Sequence, residues 1–151
     1  MGEVTATGDF TTYPLPFGSS PNCITLGADG NLWFTQYLSN LIIGGTGGQT
    51  TLDSGTGQDI VIAGSMTYDN NQAALLAIEN YWSTNGGTFA QRSAALAAGV
   101  NGYVLNKTTV LHHFGAGDTI NLGSANDWLF WRMIGGAADT LNGTPGKSNL
   151  I

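Results

Sequence analysis

The chain has 151 residues, of which 23 are glycine, 42% are hydrophobic and only 9% are charged, with a formal net charge of −6. That length suits one domain with a small appendage, burying about two-thirds of its unfolded surface, and the ordinary apolar fraction excludes a disordered chain. Ten acids against Arg92, Lys107, Arg132 and Lys147 leave no basic patch for nucleic acid, no run of 18 apolar residues predicts a membrane span, and Cys23 alone forms no internal disulfide.

In chain order, the opening MGEVTATGDF lacks the basic and apolar regions of an N-terminal signal peptide. Within residues 10 to 37, the apolar runs Ile24 to Leu26 and Leu32 to Phe34 flank Gly27-Ala28-Asp29-Gly30-Asn31 and predict a β-hairpin with Asp29 in its turn. Pro14, Pro16 and Pro21 keep the approach extended. This stretch resembles one blade of the streptogramin lyase (virginiamycin B lyase) propeller family, whose repeat reads YPLP, then P-x-G-I-T, then G-x-D-G-N-L-W-F-T-E. It departs from that repeat at Asn22-Cys23 and at Gln36. One blade cannot close a propeller, so no lyase site is carried over. Ile24, Trp33 and Phe34 are expected instead to cap the sheet that follows.

From Gly45 to Ile62 the chain holds two nine-residue units in one register, GTGGQTTLD and SGTGQDIVI. With Ser54 as position one, Gly55, Gly57, Asp59 and Val61 fall at positions 2, 4, 6 and 8. This is the G-G-x-G-x-D-x-U-x pattern of calcium-binding parallel β-rolls with one glycine replaced by serine. In the first unit Gly48 and Leu52 hold the same positions, but Thr50 stands where the aspartate belongs and offers only a neutral oxygen. Glycines allow positive φ and turn carbonyls toward a common point, the aspartate adds a hard anionic oxygen, and the aliphatic residue two places on starts a short inward-facing strand. Calcium takes six to eight oxygen ligands, whereas transition metals prefer His or Cys, so the pattern points to calcium.

From Tyr68 the periodicity turns helical. Asp69 with Gln72 has capping-box spacing ahead of an apolar run through Ile78, Tyr81 and Trp82. Thr88 with Gln91 opens a second, shorter helix that Gly99 ends. Residues Gly102 to Leu105 and Thr108 to His112 read as two strands about a turn at Asn106-Lys107. His112 and His113 are adjacent, so in a strand they face opposite sides and do not chelate one metal; either could serve as a general base.

The glycine pattern then returns. Asp118 and Asp127 are nine apart and are followed by Ile120 and Leu129, with Gly115-Ala116-Gly117 and Gly123-Ser124-Ala125-Asn126 ahead of them. After a three-residue slip, 135–141 repeats the unit around Asp139 and Leu141. The expected metal ligands are therefore Gly55, Gly57, Asp59, Gly115, Gly117, Asp118, Asp127 and Asp139, with Asp53 at the variable ninth position. Residues after Asn142 read as loop.

Residues 44 to 142 resemble a domain found near the C-terminus of large secreted bacterial proteins of the RTX (haemolysin-type calcium-binding) class. The matching residues are Asp59 to Ile78, Leu105 to Val110 and Asp127 to Phe130; the pair at His112-His113 departs, being more often acidic there. The expected fold is mainly β: a short parallel RTX-like β-roll over 44–151 with a helical hairpin inserted at 69–99, behind an N-terminal β-hairpin cap at 1–43.

Three functions follow from these readings. The first is a secreted calcium-binding protein whose ions drive folding, placed outside the cell, without an N-terminal signal peptide in this chain, because extracellular calcium suits low-affinity loops. The second is a calcium-dependent hydrolase: secreted propellers of similar blades include streptogramin lyases and lactonases. That resemblance implies a small lactone substrate of the acyl-homoserine lactone type, with calcium polarising the carbonyl and His112 or His113 activating water. The third is a non-catalytic terminal module of a large adhesin-like protein. No G-x-S-x-G elbow, His-Glu-x-x-His or P-loop is present.

Overall fold

A computed structural model describes residues 2–4, 10–12, 21–26, 32–36, 40–44, 49–111, 117–133 and 138–151, which fall in two units, Met1–Ser39 and Asn40–Ile151. In the first unit β1 (Gly2–Val4) pairs antiparallel with β2 (Phe10–Thr12). There too β3 (Pro21–Leu26) pairs antiparallel with β4 (Leu32–Gln36), setting Ile24 opposite Phe34 and Thr25 opposite Trp33. These are the two apolar runs expected to form a hairpin. Their register slips between Pro21 and Ile24, beside the residue that has no N–H to give to a ladder.

The second unit is built on two parallel sheets that the chain visits in turn. Strands β5 (Leu41–Ile43), β7 (Ile60–Ile62), β11 (Trp128–Trp131) and β13 (Lys147–Leu150) form one sheet, in the spatial order β13-β11-β7-β5. Strands β6 (Thr51–Asp53), β10 (Thr119–Asn121) and β12 (Thr140–Asn142) form the other, in the order β12-β10-β6. In sequence the path is β5, β6, β7, then β10, β11, β12 and β13, changing sheet at every step. Register follows the aliphatic residue two places after each turn aspartate or its equivalent. Ile42 lies opposite Val61 and Val61 opposite Leu129, while Leu52 lies opposite Ile120 and Ile120 opposite Leu141.

Each three-residue strand presents its central side chain inward, and the four-residue β11 presents Leu129 and Trp131. Leu52 and Ile120 from one sheet meet Val61 and Leu129 from the other in a buried cluster with Ala63 and Trp131, so the sheets face each other across it. Successive side chains on a strand point to opposite faces, which sends Ile60, Ile62, Trp128 and Phe130 to the far side of the larger sheet, into a second core with Ile78, Trp82, Leu96 and Leu105. With both faces covered, that sheet reads as unbroken apolar runs, IVI and WLFW. The smaller sheet alternates instead. Thr51, Asp53, Thr140 and Asn142 are exposed on its outer face, where Asn142 Nδ2 donates to Asn121 Oδ1 (2.8 Å) and Asn121 Nδ2 to Asp53 Oδ1 (2.5 Å).

Between β7 and β10 lies the helical insertion. Its base is closed by β8 (Ser65–Met66) and β9 (Val110–Leu111), which pair antiparallel. Helix α1 (Gln72–Thr84) is capped by Asn71, whose side chain accepts from the Ala74 N–H (3.1 Å). The expected cap, Asp69, accepts the Met66 N–H instead (2.9 Å) and so braces the preceding turn. Helix α2 (Phe89–Ala98) has the expected capping box of Thr88 and Gln91 and ends at Gly99 with φ +121°. The expected strand Gly102 to Leu105 is a tight turn, with Asn101 and Gly102 both at positive φ and a bridge from Val100 to Tyr103 closing it. The expected terminal loop contains β13. Its Lys-Ser-Asn-Leu sequence carries no apolar alternation, and backbone pairing to β11 is what makes it a strand.

Replacing Leu129 by Ala removes the fully buried contact through which the sheets meet. Urea unfolding of Leu129→Ala is expected to show a loss of about 3 kcal/mol, while truncating exposed Thr51 to Ala costs under about 0.5 kcal/mol.

Candidate metal centre

Apart from β13, each strand of the two sheets is entered through the residue two places before its central inward aliphatic side chain. These entry residues stand in two rows. Ahead of the larger sheet come Asn40, Asp59 and Asp127, whose carbonyls accept from Ile60 N (2.7 Å), Trp128 N (2.7 Å) and Lys147 N (3.1 Å) respectively. Ahead of the smaller come Thr50, Asp118 and Asp139, where the Thr50 carbonyl accepts from Thr119 N (2.8 Å) and the Asp118 carbonyl from Thr140 N (2.7 Å). All four aspartates are buried.

Three of the four use their carboxylates to staple one turn to the turn before it. Asp127 Oδ1 accepts from the Asp59 N–H (2.9 Å), Asp118 Oδ1 from the Thr50 N–H (2.9 Å), and Asp139 Oδ1 from the Asp118 N–H (2.9 Å). The second oxygen of Asp139 takes the Arg132 N–H (2.7 Å), and that of Asp127 takes the Ser54 hydroxyl (2.8 Å), which itself accepts from the Gly123 N–H (2.8 Å). Serine at the position usual for the first glycine thus joins two turns. Such bonds offset the desolvation of a buried carboxylate. Both oxygens of Asp127 and of Asp139 already have donors.

Asp59 is different. Its residue is 3% exposed, yet Oδ2 is buried with no hydrogen-bond partner among the described residues. The point where a Cβ on Gly57 would stand is 3.2 Å and 3.5 Å from the two Asp59 carboxylate oxygens and 3.5 Å from Asn40 Oδ1. Glycine at 57 therefore keeps open a small cradle walled by one carboxylate and one amide oxygen. Burial, and after it the charge of Asp127, pushes the Asp59 carboxyl up to about 7. Among the described residues no positive charge offsets this. Gly55, at φ +74° and exposed, supplies the turn conformation that brings the chain back toward Asp59.

In the other row Asp118 Oδ2 and the Ile62 carbonyl lie 3.3 Å and 3.5 Å from the corresponding point on Gly44. Gly117 immediately precedes Asp118 and is half-buried. Gly115, His112 and His113 lie outside the described residues, so the metal and general-base expectations placed on them have no geometry here. Among the described residues no three His, Cys, Asp or Glu side chains gather as a metal cluster. A cation at Asp59 would meet the Asp59 carboxylate and the Asn40 amide oxygen, an oxygen set that fits calcium and offers nothing to a metal seeking nitrogen or sulfur.

Sequence reasoning missed Asn40. The signal was present: Asn40 precedes Ile42 by two places, as Asp59 precedes Val61, one strand upstream of the glycine-rich units.

The Asp59 environment has a pH consequence in calcium-free buffer. Its folded carboxyl titrates near 7 against 3.8 for the ordinary group, so between those values the folded state holds the extra proton, and stability falls as pH rises through the window. The melting midpoint should drop by roughly 5 °C or more between pH 5 and pH 7.5 relative to Asp59→Asn, which has no such proton to lose. Parallel profiles for the two proteins would contradict the assignment.

Comparison of the chain with protein-family models, with curated proteins and with solved structures gave no match.

Proposed function

We propose that residues 40–151 form a calcium-binding β-roll of the RTX kind, in which the cation neutralises Asp59 and stabilises the folded turns, and that the protein works outside the cell where calcium is abundant. The observation that carries this reading is the buried, unpartnered Asp59 Oδ2 beside Asn40 Oδ1 at the open cradle of Gly57. Supporting it are the in-register placement of Asp59, Asp118, Asp127 and Asp139 at strand entries and the alternation of strands between two parallel sheets.

Under this reading the residues divide their work. Asp59 and Asn40 hold the ion, while Asp127 and Ser54 fix the backbone that presents Asp59. When bound, calcium supplies the positive charge that the carboxylate lacks. A ligand that binds only the folded state adds RT ln(1 + [L]/Kd), about 2.7 kcal/mol at one hundred times Kd. For so small a domain that decides how much of the chain is folded. The hydrolase reading has its base at His112 or His113 and draws no support from the described geometry.

Thermal melting in calcium against EDTA tests the proposal. Calcium should raise the midpoint by roughly 5 to 10 °C. Asp59→Asn should abolish that rise and yet melt higher than the parent in EDTA, because the uncompensated charge is gone. Asp53→Asn, altering an exposed carboxylate of the outer ladder, should keep the full response. A parent midpoint indifferent to calcium would overturn the proposal.

A further inference from the structure

Among the described residues, the helical insertion is hydrogen-bonded to the candidate turn at Gln58, which stands between the cradle glycine and the candidate ligand. Trp82 of α1, fully buried, donates its Nε1–H to the Gln58 carbonyl (2.5 Å). Arg92 of α2 donates to the Gln58 side-chain Oε1 and to the Trp82 carbonyl (2.5 Å), and its guanidinium carbon lies 4.5 Å from the Trp82 ring centroid. At the other end of the same peptide, the Asp59 N–H donates to Asp127 Oδ1 (2.9 Å).

The Gln58–Asp59 peptide is thus held at its oxygen by a helix and at its nitrogen by the next aspartate in the row. A planar peptide fixed at both groups has its orientation set, and with it the direction in which the Asp59 side chain leaves the backbone. Packing alone does not ask for this arrangement. Trp82 already meets Phe89 edge-on at 5.6 Å and Trp128 at 6.0 Å between ring centroids. A buried indole N–H needs an acceptor, and the acceptor used is the carbonyl next to the residue that faces the cradle.

We infer that Trp82 and Arg92 are positioning residues for the cation site, acting through Gln58, so that cation binding at Asp59 and docking of the helical insertion strengthen each other. This inference rests on the calcium reading. Energetic coupling of this kind is reciprocal: the helices raise calcium affinity, and calcium tightens the helices on the sheet.

Calorimetric titration of the full chain with calcium, alongside far-UV dichroism, tests it. Trp82→Phe keeps an aromatic ring between Phe89 and Trp128 but removes the donor to Gln58. Gln58→Ala removes the acceptor for Arg92 at a half-buried position where folding is little affected. Both variants should retain the helical signal. Calcium Kd should rise about tenfold in Trp82→Phe and about threefold in Gln58→Ala. In the parent, the Trp82 indole N–H resonance should shift on calcium addition. Should Trp82→Phe fail to fold, Gln58→Ala and the indole resonance carry the test. Parent-like affinity in the folded variants, with an unmoved indole resonance, overturns the positioning role and leaves calcium binding standing; no calcium uptake by the parent overturns both.

Discussion

A carboxylate oxygen taking the backbone N–H of the turn before it is the bond on which the second unit depends. The strands of its two parallel sheets are three or four residues long, too short to hold a sheet by their own ladders, and each three-residue strand offers one inward side chain to the core between sheets. Asp127, Asp118 and Asp139 convert this weak stack into a tied one, each reaching back to the turn one strand earlier in its sheet. The same bonds make it tolerable to bury the charges. A buried carboxylate without donors bears the full cost of leaving water, and each such bond reduces it.

This stapling also explains how the chain accommodates a long insertion in its middle. Leu52 pairs with Ile120 and Val61 with Leu129 across the inserted segment, as though the intervening residues were absent. The antiparallel pair of Ser65–Met66 with Val110–Leu111 brings the ends of the insertion together, and loop closure of that kind costs little more for a long excursion than for a short one. What the insertion returns is cover. Without it Ile60, Ile62, Trp128 and Phe130 would lie open on the outer face of the larger sheet, where their counterparts on the smaller sheet are Thr51, Asp53, Thr119 and Asn121. The polarity of the two outer faces is matched to which of them carries helices.

Much of this was legible in the sequence because glycine, aspartate and an aliphatic residue recur at fixed spacing, and that spacing sets Asp59, Asp118, Asp127 and Asp139 at strand entries. The second helix was legible to the residue, since Thr88, Gln91 and Gly99 each do what their side chain, or its lack, does best. Other features had no local signal. Lys147–Leu150 is a strand because of its neighbour, and Asn71 displaced Asp69 as a cap because both can accept an N–H and only the fold decides between them. From the sequence, aspartates at such positions read either as ligands or as Asx-turns that cap their own loops. The geometry gives three of them a backbone role first, which the residue type permits equally well and no spacing rule distinguishes. Gln58 escaped notice for a simpler reason: it occupies a variable position of the nonapeptide, and its importance comes from helices distant in sequence.

One strand earlier in its row Asp59 has Asn40, where Asp127 has Asp59 and Asp118 has Thr50. Asn40 presents an oxygen of nearly the same shape as a carboxylate but without the charge. A carboxylate there would put a third negative group in line with Asp59 and Asp127, and the turn would then repel itself whenever no cation was near. With an amide, a second oxygen stands beside the Asp59 carboxylate without a third charge. Under the calcium proposal that arrangement bears on the choice of ion. A site built on one carboxylate and one amide oxygen would be low in charge. Magnesium demands near-octahedral geometry and gives up its water reluctantly, whereas calcium tolerates such a shell, and sites poor in charged ligands belong to the weak, extracellular end of its affinity range. Charge sparing at Asn40, burial at Asp59 and the open backbone at Gly57 are thus three sides of one arrangement, and it is on this arrangement that the calcium proposal rests.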